Sequence, residues 1–205
     1  MATLFWTADS PFCRITLWAM AILNRDADFN LKHLTWDELR SISAGGQLGT
    51  AATVPCLTLP SGQNISDSLR IIAHLLQTDF YRWFLSSEGD HYRMIEGQFS
   101  RIMYALYDGA QGKNLEKVHG QWQRALRSAE LTLTKNTSTS LLPSAALHVF
   151  VTFCLMLRPE WRSDISEPLA QLLTQQEGSI AFQKLQSWTA ATHYRVPCSW
   201  TEPVR

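Results

Sequence analysis

The spacing of apolar residues divides this chain into an N-terminal part of mixed character and a C-terminal part that is helical throughout. Near the N-terminus, residues 2–6 are a short run that is typical of a strand, and residues 29–34 alternate as a second strand would. Between them, apolar side chains recur at the spacing of a helix with one buried face: Phe12, Ile15, Trp18, Ala19 and Ile22. We therefore expect a strand, a helix and a second strand in this order.

The next stretch predicts a short helix at 36–42, then a hairpin and a third helix. Leu57 and Leu59 lie in a strand that a Ser-Gly turn at 61–62 joins to a strand through Ile65. Apolar residues then share one face of a helix: Leu69, Ile72, Ala73 and Leu76. The order β-α-β-α-β-β-α is that of a thioredoxin-like domain.

From about residue 90 onward the apolar spacing is helical throughout, and it predicts five helices: 91–109, 115–135, 144–158, 165–175 and 179–194. The predicted fold is therefore α/β plus all-α. It combines a thioredoxin-like domain at 1–78, a linker at 79–88 and an all-helical bundle domain at 89–205.

Polar residues that suit helix starts precede two of the predicted helices. Ser10 is a good N-cap, and Pro11 suits the first helical position. Ser66 is the expected cap of the third helix, and Asp67, followed by Ser68, favours its dipole. The N–H groups at both starts can hold negative charge on a ligand.

Val54-Pro55 opens the third strand, and its peptide bond has two possible forms. A cis bond would turn the backbone N–H and C=O of Val54 outward, where they could pair with an extended peptide. A trans bond at a strand start is the commoner form of any X-Pro pair. The sequence leaves both open.

These motifs, in their order and separation, together resemble the glutathione site of the cytosolic glutathione transferases, and they are most similar to serine-type, bacterial-like members. The resemblance implies a glutathione transferase that activates the glutathione thiolate for attack on a small hydrophobic electrophile, as in detoxification. It places Ser10 against the glutathione sulfur, with Cys13 as the runner-up. It implies the following glutathione-binding residues: Phe12, Thr53, Val54, Pro55, Asp67 and Ser68.

Within that set, the resemblance implies that Asp67 binds the γ-glutamyl ammonium of glutathione, that Ser68 binds the γ-glutamyl carboxylate, and that Val54 pairs with the cysteinyl backbone. It also implies a homodimer near the third and fourth helices, with the helical domain lining the electrophile site. Met103, Tyr104 and Tyr107 are the candidate pocket residues there. Other readings stay open: a non-catalytic binding or regulatory protein, and a glutathione-dependent thiol-disulfide enzyme that uses Cys13.

Two positions depart from the family pattern. Thr53 stands where many members have a lysine near the glycine carboxylate of glutathione, and Gln47, Lys32 or His33 could compensate for the missing lysine. The helix predicted from Ser144 lacks the acidic partner of a capping box, which bears on stability rather than chemistry.

Charge and cysteine content narrow the function classes further. Lys plus Arg and Asp plus Glu number 18 each, so no basic excess favours nucleic acid or an anionic membrane. The four cysteines show no metal spacing and indicate free thiols in a reducing compartment. No signal peptide or membrane-length apolar run is evident. We therefore expect a cytoplasmic protein with glutathione as co-substrate and no metal.

Overall fold

The computed structural model describes residues 1–44, 53–135 and 141–190. These residues form two compact units. The first unit contains 1–84 together with 180–190, apart from the gap at 45–52, and the second contains 85–179, apart from the gap at 136–140.

The first unit is built on a four-stranded mixed sheet with the order β2-β1-β3-β4. Its strands are β1 (Ala2–Trp6), β2 (Phe29–His33), β3 (Cys56–Thr58) and β4 (Asn64–Ser66). Strand β1 pairs parallel with β2 and antiparallel with β3, and β3 pairs antiparallel with β4. This is the thioredoxin-like arrangement expected from the sequence.

Nine α-helices lie in the described ranges: α1 (Pro11–Ile22), α2 (Trp36–Ala44), α3 (Ser68–Leu75), α4 (Phe80–Phe84), α5 (Ser87–Tyr107), α6 (Gly112–Lys135), α7 (Leu141–Leu157), α8 (Glu167–Glu177) and α9 (Ile180–Thr189). A short 3-10 helix, Pro159–Asp164, joins α7 to α8. The sequence prediction had no helix at α4, which is only five residues long and rich in aromatic side chains.

Helix α1 is the centre of the first unit. Its Trp18 is fully buried and meets the ring of Phe182 from α9, with the ring centroids 5.1 Å apart. Lys184 of α9 also donates to the Asp26 carboxylate, which follows α1, at 2.9 Å. Helix α9 therefore packs within the N-terminal unit, whereas the sequence had assigned 89–205 as a whole to the helical domain.

The second unit is an all-helical bundle, as expected, with α7 at its centre. Almost every side chain of α7 is buried, including Ser144 and His148. The helix begins at Leu141 rather than at Ser144, because Pro143 lies in the first turn, where no N–H is needed for an intrahelical bond. None of the helices in the described ranges is both long and apolar enough to cross a membrane.

Candidate functional site

Three strand ends meet at one edge of the sheet in the first unit. Phe5 of β1 lies opposite Cys56 of β3, which in turn lies opposite Ser66 of β4. Strands β1 and β4 end at this edge and β3 begins there. The Ser10 loop, the Val54-Pro55 pair and Asp67-Ser68 therefore all emerge from the same edge.

The width of this edge suits an extended peptide. Neighbouring strands lie about 4.8 Å apart, so the distance from β1 across β3 to β4 is about 10 Å. An extended chain covers about 3.3 Å per residue, so three residues also span about 10 Å. The edge can thus hold a tripeptide stretched across the strands.

Ser10 occupies the start of α1, as the sequence predicted. Its backbone is extended (φ −95°, ψ 118°), and its Oγ accepts the N–H of Cys13 at 3.3 Å. The side chain is buried, with 7% exposed. A hydroxyl that accepts one bond keeps a rotatable proton, so Ser10 can still donate to an anion at this helix start.

Cys13 lies behind Ser10, in the first turn of α1, and its side chain is fully buried. Burial raises the pKa of the Cys13 thiol to about 11, although hydrogen bonds from Ser10 and Thr7 and the charge of Arg14 act in the opposite direction. Its Sγ accepts the N–H of Thr7 at 3.4 Å. The thiol is therefore protonated near neutral pH and is a poor nucleophile.

Asp67 and Ser68 form the second polar corner, at the start of α3. The cap is Asp67, whose Oδ1 accepts the N–H of Leu69 at 2.8 Å, so the expectation that Ser66 caps this helix was wrong. Ser66 instead ends β4, where it pairs with Cys56.

The backbone at this second corner directs its polar groups outward. Asp67 has φ +85°, a conformation that L residues rarely adopt, and its side chain is exposed. The side chain of Ser68 is buried directly below the cap. Because the first intrahelical bond runs from the N–H of Ile71 to the C=O of Asp67, the N–H groups before it lie at the open helix end.

Val54 and Pro55 lie between the two corners, at the start of β3. Their peptide bond is cis, the first of the two forms left open by the sequence. Val54 is half-buried against a small core of Leu34, Leu39 and Cys56, while Thr53 is exposed. This core fixes the segment in front of β3.

Two of the residues considered as substitutes for the missing lysine lie at the same edge. Lys32 and His33 end β2, and His33 pairs in register with Trp6. The Lys32 Nζ lies 5.5 Å from the Phe5 ring centroid, and the His33 ring meets the Trp6 ring at 4.7 Å. Gln47, the third candidate, lies outside the described residues.

Solved structures with this arrangement are numerous. A glutathione S-transferase from Methylobacillus flagellatus KT, with GSH bound, superposes with a TM-score of 0.69 at 18% identity, covering 90% of this chain and 98% of its own. A glutathione S-transferase from Xylella fastidiosa gives 0.72 at 13% identity, covering 93% and 99%. The chain has the glutathione transferase fold.

A third neighbour, a glutathione transferase family member from Pseudomonas fluorescens Pf-5 with bound glutathione, gives a TM-score of 0.64 at 18% identity and covers 89% of this chain and 97% of its own. No protein-family model matches the sequence, and no curated protein matches it. The likeness is therefore one of fold, carried by structure rather than by sequence identity.

The candidate pocket residues of the second unit all lie on α5 of this glutathione transferase fold, but on two faces. Met103 is 2% exposed and belongs to the buried face that includes Phe99 and Leu106, so it offers almost no surface to a ligand. Tyr104 and Tyr107 lie on the exposed side, about half exposed each.

Two neighbours of Ser10 were not singled out by the sequence analysis. Thr7 and Arg14 are both buried, and both bond within the loop that leads into α1. The sequence offered a weak signal, because an arginine one residue after a buried cysteine lies among the apolar positions of the helix. No group of three His, Cys, Asp or Glu side chains suited to a metal ion occurs within the described ranges.

Proposed function

We propose that this protein binds glutathione across the edge formed by β1, β3 and β4 and acts as a glutathione transferase on small hydrophobic electrophiles. The observation that carries the proposal is the register of Phe5, Cys56 and Ser66, which brings three separate polar motifs to one edge. The glutathione-bound neighbours of the same fold support it.

In the proposed complex, the amino end of glutathione lies at the α3 corner. The exposed carboxylate of Asp67 holds the γ-glutamyl ammonium, and Ser68 with the helix N–H groups holds the γ-glutamyl carboxylate. Val54 pairs with the cysteinyl backbone, and Phe12 and Thr53 flank the peptide. Lys32 or His33, at the end of β2, would face the glycine carboxylate in place of the family's lysine.

The sulfur then lies at the start of α1. The Ser10 hydroxyl donates to it, and the N-terminal end of the helix dipole adds positive potential. Both favour the thiolate, which attacks the electrophilic carbon. A C–S bond forms, the leaving group departs with its bonding electrons, and the thiol proton passes to solvent. A charge-assisted hydrogen bond contributes about 1.5–3 kcal/mol, which lowers a thiol pKa by about one to two units.

The finer parts of the proposal concern the electrophile, the assembly and the location. Tyr104 and Tyr107 are the exposed α5 residues that we propose for the electrophile side. We further propose a cytoplasmic homodimer with an interface near α3 and α5. Light scattering on the purified protein tests the dimer, since a monomer mass would contradict it.

A non-catalytic glutathione-binding protein is the second candidate, and the covered position of Ser10 favours it. The side chain is only 7% exposed and its Oγ is engaged with the Cys13 N–H. The thiol-disulfide alternative is disfavoured, because burial suppresses the Cys13 thiolate that it requires.

Calorimetric titration with glutathione, followed by turnover with a generic aryl halide, tests the proposal in wild type, Ser10→Ala and Cys13→Ser. We expect binding in all three proteins. Ser10→Ala should lower turnover about tenfold or more, since it removes a charge-assisted bond of about 1.5–3 kcal/mol. Cys13→Ser should keep turnover near the wild-type value.

Three other results would redirect the assignment. Binding without turnover in wild type would favour the non-catalytic protein. Selective loss in Cys13→Ser, above all with a disulfide substrate, would favour the thiol-disulfide enzyme. Full turnover in Ser10→Ala would refute Ser10 as the sulfur donor.

A further inference from the structure

Arg14 is a buried cation in the first turn of α1, and the mechanism proposed above leaves it without a role. Its side chain is 3% exposed. A guanidinium stays charged at any pH at which proteins fold, and its burial is costly unless its N–H groups find acceptors. The place of a buried guanidinium next to Ser10 calls for an explanation.

The contacts of Arg14 tie the β1–α1 loop to the helix that follows it. Its Nε donates to the C=O of Ala8 at 2.9 Å, and its backbone N–H donates to the C=O of Ser10 at 3.1 Å. These bonds hold the chain on both sides of Asp9. Cys13 adds a third connection through its Sγ and the Thr7 N–H.

We propose that Arg14 is a positioning residue that fixes Ser10 at the N-terminus of α1. The buried Arg14 charge also supplies positive potential to a sulfur bound at that position. The glutathione part of this inference rests on the proposed function. The geometric part concerns only the corner that Ser10 occupies, and it can be tested without glutathione.

A sulfur already present in this corner responds to the Arg14 charge. Burial raises the pKa of the Cys13 thiol in the same helical turn, and the charge of Arg14 acts in the opposite direction, after the hydrogen bonds from Ser10 and Thr7. A sulfur in contact with Ser10, nearer to solvent, would bear less of the burial effect while the same cation acts on it.

Other charged groups surround α1, and each is more exposed than Arg14. Asp9 lies exposed in the same loop. Helices α3 and α9 pack against α1. The charged or titratable groups of these helices, and those at the end of β2, are Asp67 at the cap of α3, Arg70, His74, Lys184, Lys32 and His33. Because solvent screens exposed charges, Arg14 acts through a lower dielectric than they do.

A thiol introduced by Ser10→Cys reports the potential at this position directly. The rate of its alkylation by iodoacetamide, followed against pH and assigned by peptide mass, gives its pKa. Adding Arg14→Gln should raise that pKa by about one unit, so alkylation below both values slows about tenfold. Equal pKa values in the two backgrounds would overturn the proposal.

Arg25→Gln in the same Ser10→Cys background is the matched control. Arg25 also bonds a main-chain carbonyl of another element, that of Leu75 at 2.9 Å, and pairs with Asp28, but it follows the far end of α1. The Arg25→Gln substitution should therefore leave the pKa of the introduced thiol unchanged. If circular dichroism shows that Arg14→Gln is unfolded, the neutral Arg14→Met replaces it in the same comparison.

The glutathione part is measured on proteins that retain Ser10. Ultraviolet absorbance of the bound thiolate against pH should show a higher glutathione pKa in Arg14→Gln than in wild type, with Arg25→Gln unchanged. Failure of wild type to bind glutathione would sink the proposed function alone. If Arg14→Gln leaves the pKa of the thiol introduced by Ser10→Cys unchanged, Arg14 does not have the proposed role, whether or not glutathione binds.

Discussion

The two units use their polar side chains in different ways. At the sheet edge of the first unit, the Ser10 Oγ and the Asp67 carboxylate each accept one backbone N–H at a helix start. In the second unit, the Asp164 carboxylate accepts three side-chain donors: His119 at 2.7 Å, Gln123 at 2.9 Å and Trp122 at 3.1 Å.

The difference lies in the hydrogen-bonding capacity that remains. A carboxylate offers about four lone-pair sites and a hydroxyl offers one proton and two lone pairs, so Ser10 and Asp67 can bind a ligand while they cap their helices. Asp164 has most of its capacity engaged inside the fold. Substitutions at the sheet edge should therefore change binding more than stability, and at Asp164 the reverse.

Asp164→Ala should produce the largest loss of stability. It removes the acceptor for three donors, one of them on the fully buried Trp122, and three bonds at about 1 kcal/mol each give about 3 kcal/mol. Urea denaturation measures the loss, and glutathione affinity of the folded protein should stay unchanged.

Glu160→Ala is the matched control for Asp164, because it removes an exposed carboxylate from the same 3-10 helix. Its contact with Arg158, at 3.9 Å, is a surface pair, so its removal should cost no more than about 0.5 kcal/mol. Equal stability of the two variants would contradict the contrast between the units.

The starts of α1 and α3 show how far local sequence signals reach. Ser10-Pro11 predicted the start of α1 correctly, because an N-cap and a proline at the first position act within one turn. At α3 the local pattern favoured Ser66 as the cap. The actual cap is Asp67, because pairing with Cys56 of β3 keeps Ser66 in the strand, and that contact is invisible to local reasoning.

Long-range packing explains the other differences between the fold predicted from the sequence and the observed fold. Assigning α9 to the first unit requires knowing that Phe182 meets Trp18, which lies far away in sequence. Arg14 is buried with its Nε bonded to the Ala8 carbonyl, and its position among apolar helix residues was only a weak signal, because arginine is rarely buried. The Ser10-Pro11 helix start was predictable because it depends on consecutive residues, whereas the cap of α3 and the form of the Val54-Pro55 bond were not.

Asp67→Asn should separate ligand binding from helix capping in the first unit. Asparagine keeps an oxygen for the Leu69 N–H and tolerates positive φ, so stability should stay within about 0.5 kcal/mol of wild type. The lost negative charge should weaken glutathione binding about tenfold, or about 1.4 kcal/mol. Calorimetric titration and urea denaturation measure the two quantities.

Asp67→Ala provides the comparison for that variant. It loses the charge and the cap together, so we expect the same loss of affinity with a further loss of about 1 kcal/mol in stability. Unchanged glutathione affinity in both variants would remove Asp67 from the binding site and would weaken the contrast with Asp164.

Lys184→Met should have a small effect, because it breaks a partly exposed ion pair while it keeps a side chain of similar length on α9. The Lys184 Nζ lies 2.9 Å from the Asp26 Oδ1, and both side chains are about one-third exposed. Solvent screening limits such a pair to about 0.5–1 kcal/mol. A double-mutant cycle with Asp26→Asn isolates this coupling from the packing of the side-chain stem.

The coupling between Lys184 and Asp26 should depend on pH in one direction. The hydrogen bond from Lys184 holds the pKa of Asp26 below its ordinary value of 3.8. The folded state thus binds the proton less tightly than the unfolded state, so the contribution is complete above pH 3.8 and disappears as pH falls through the lower folded-state value. A coupling that grew on acidification would show that the pair does not anchor α9 to the first unit.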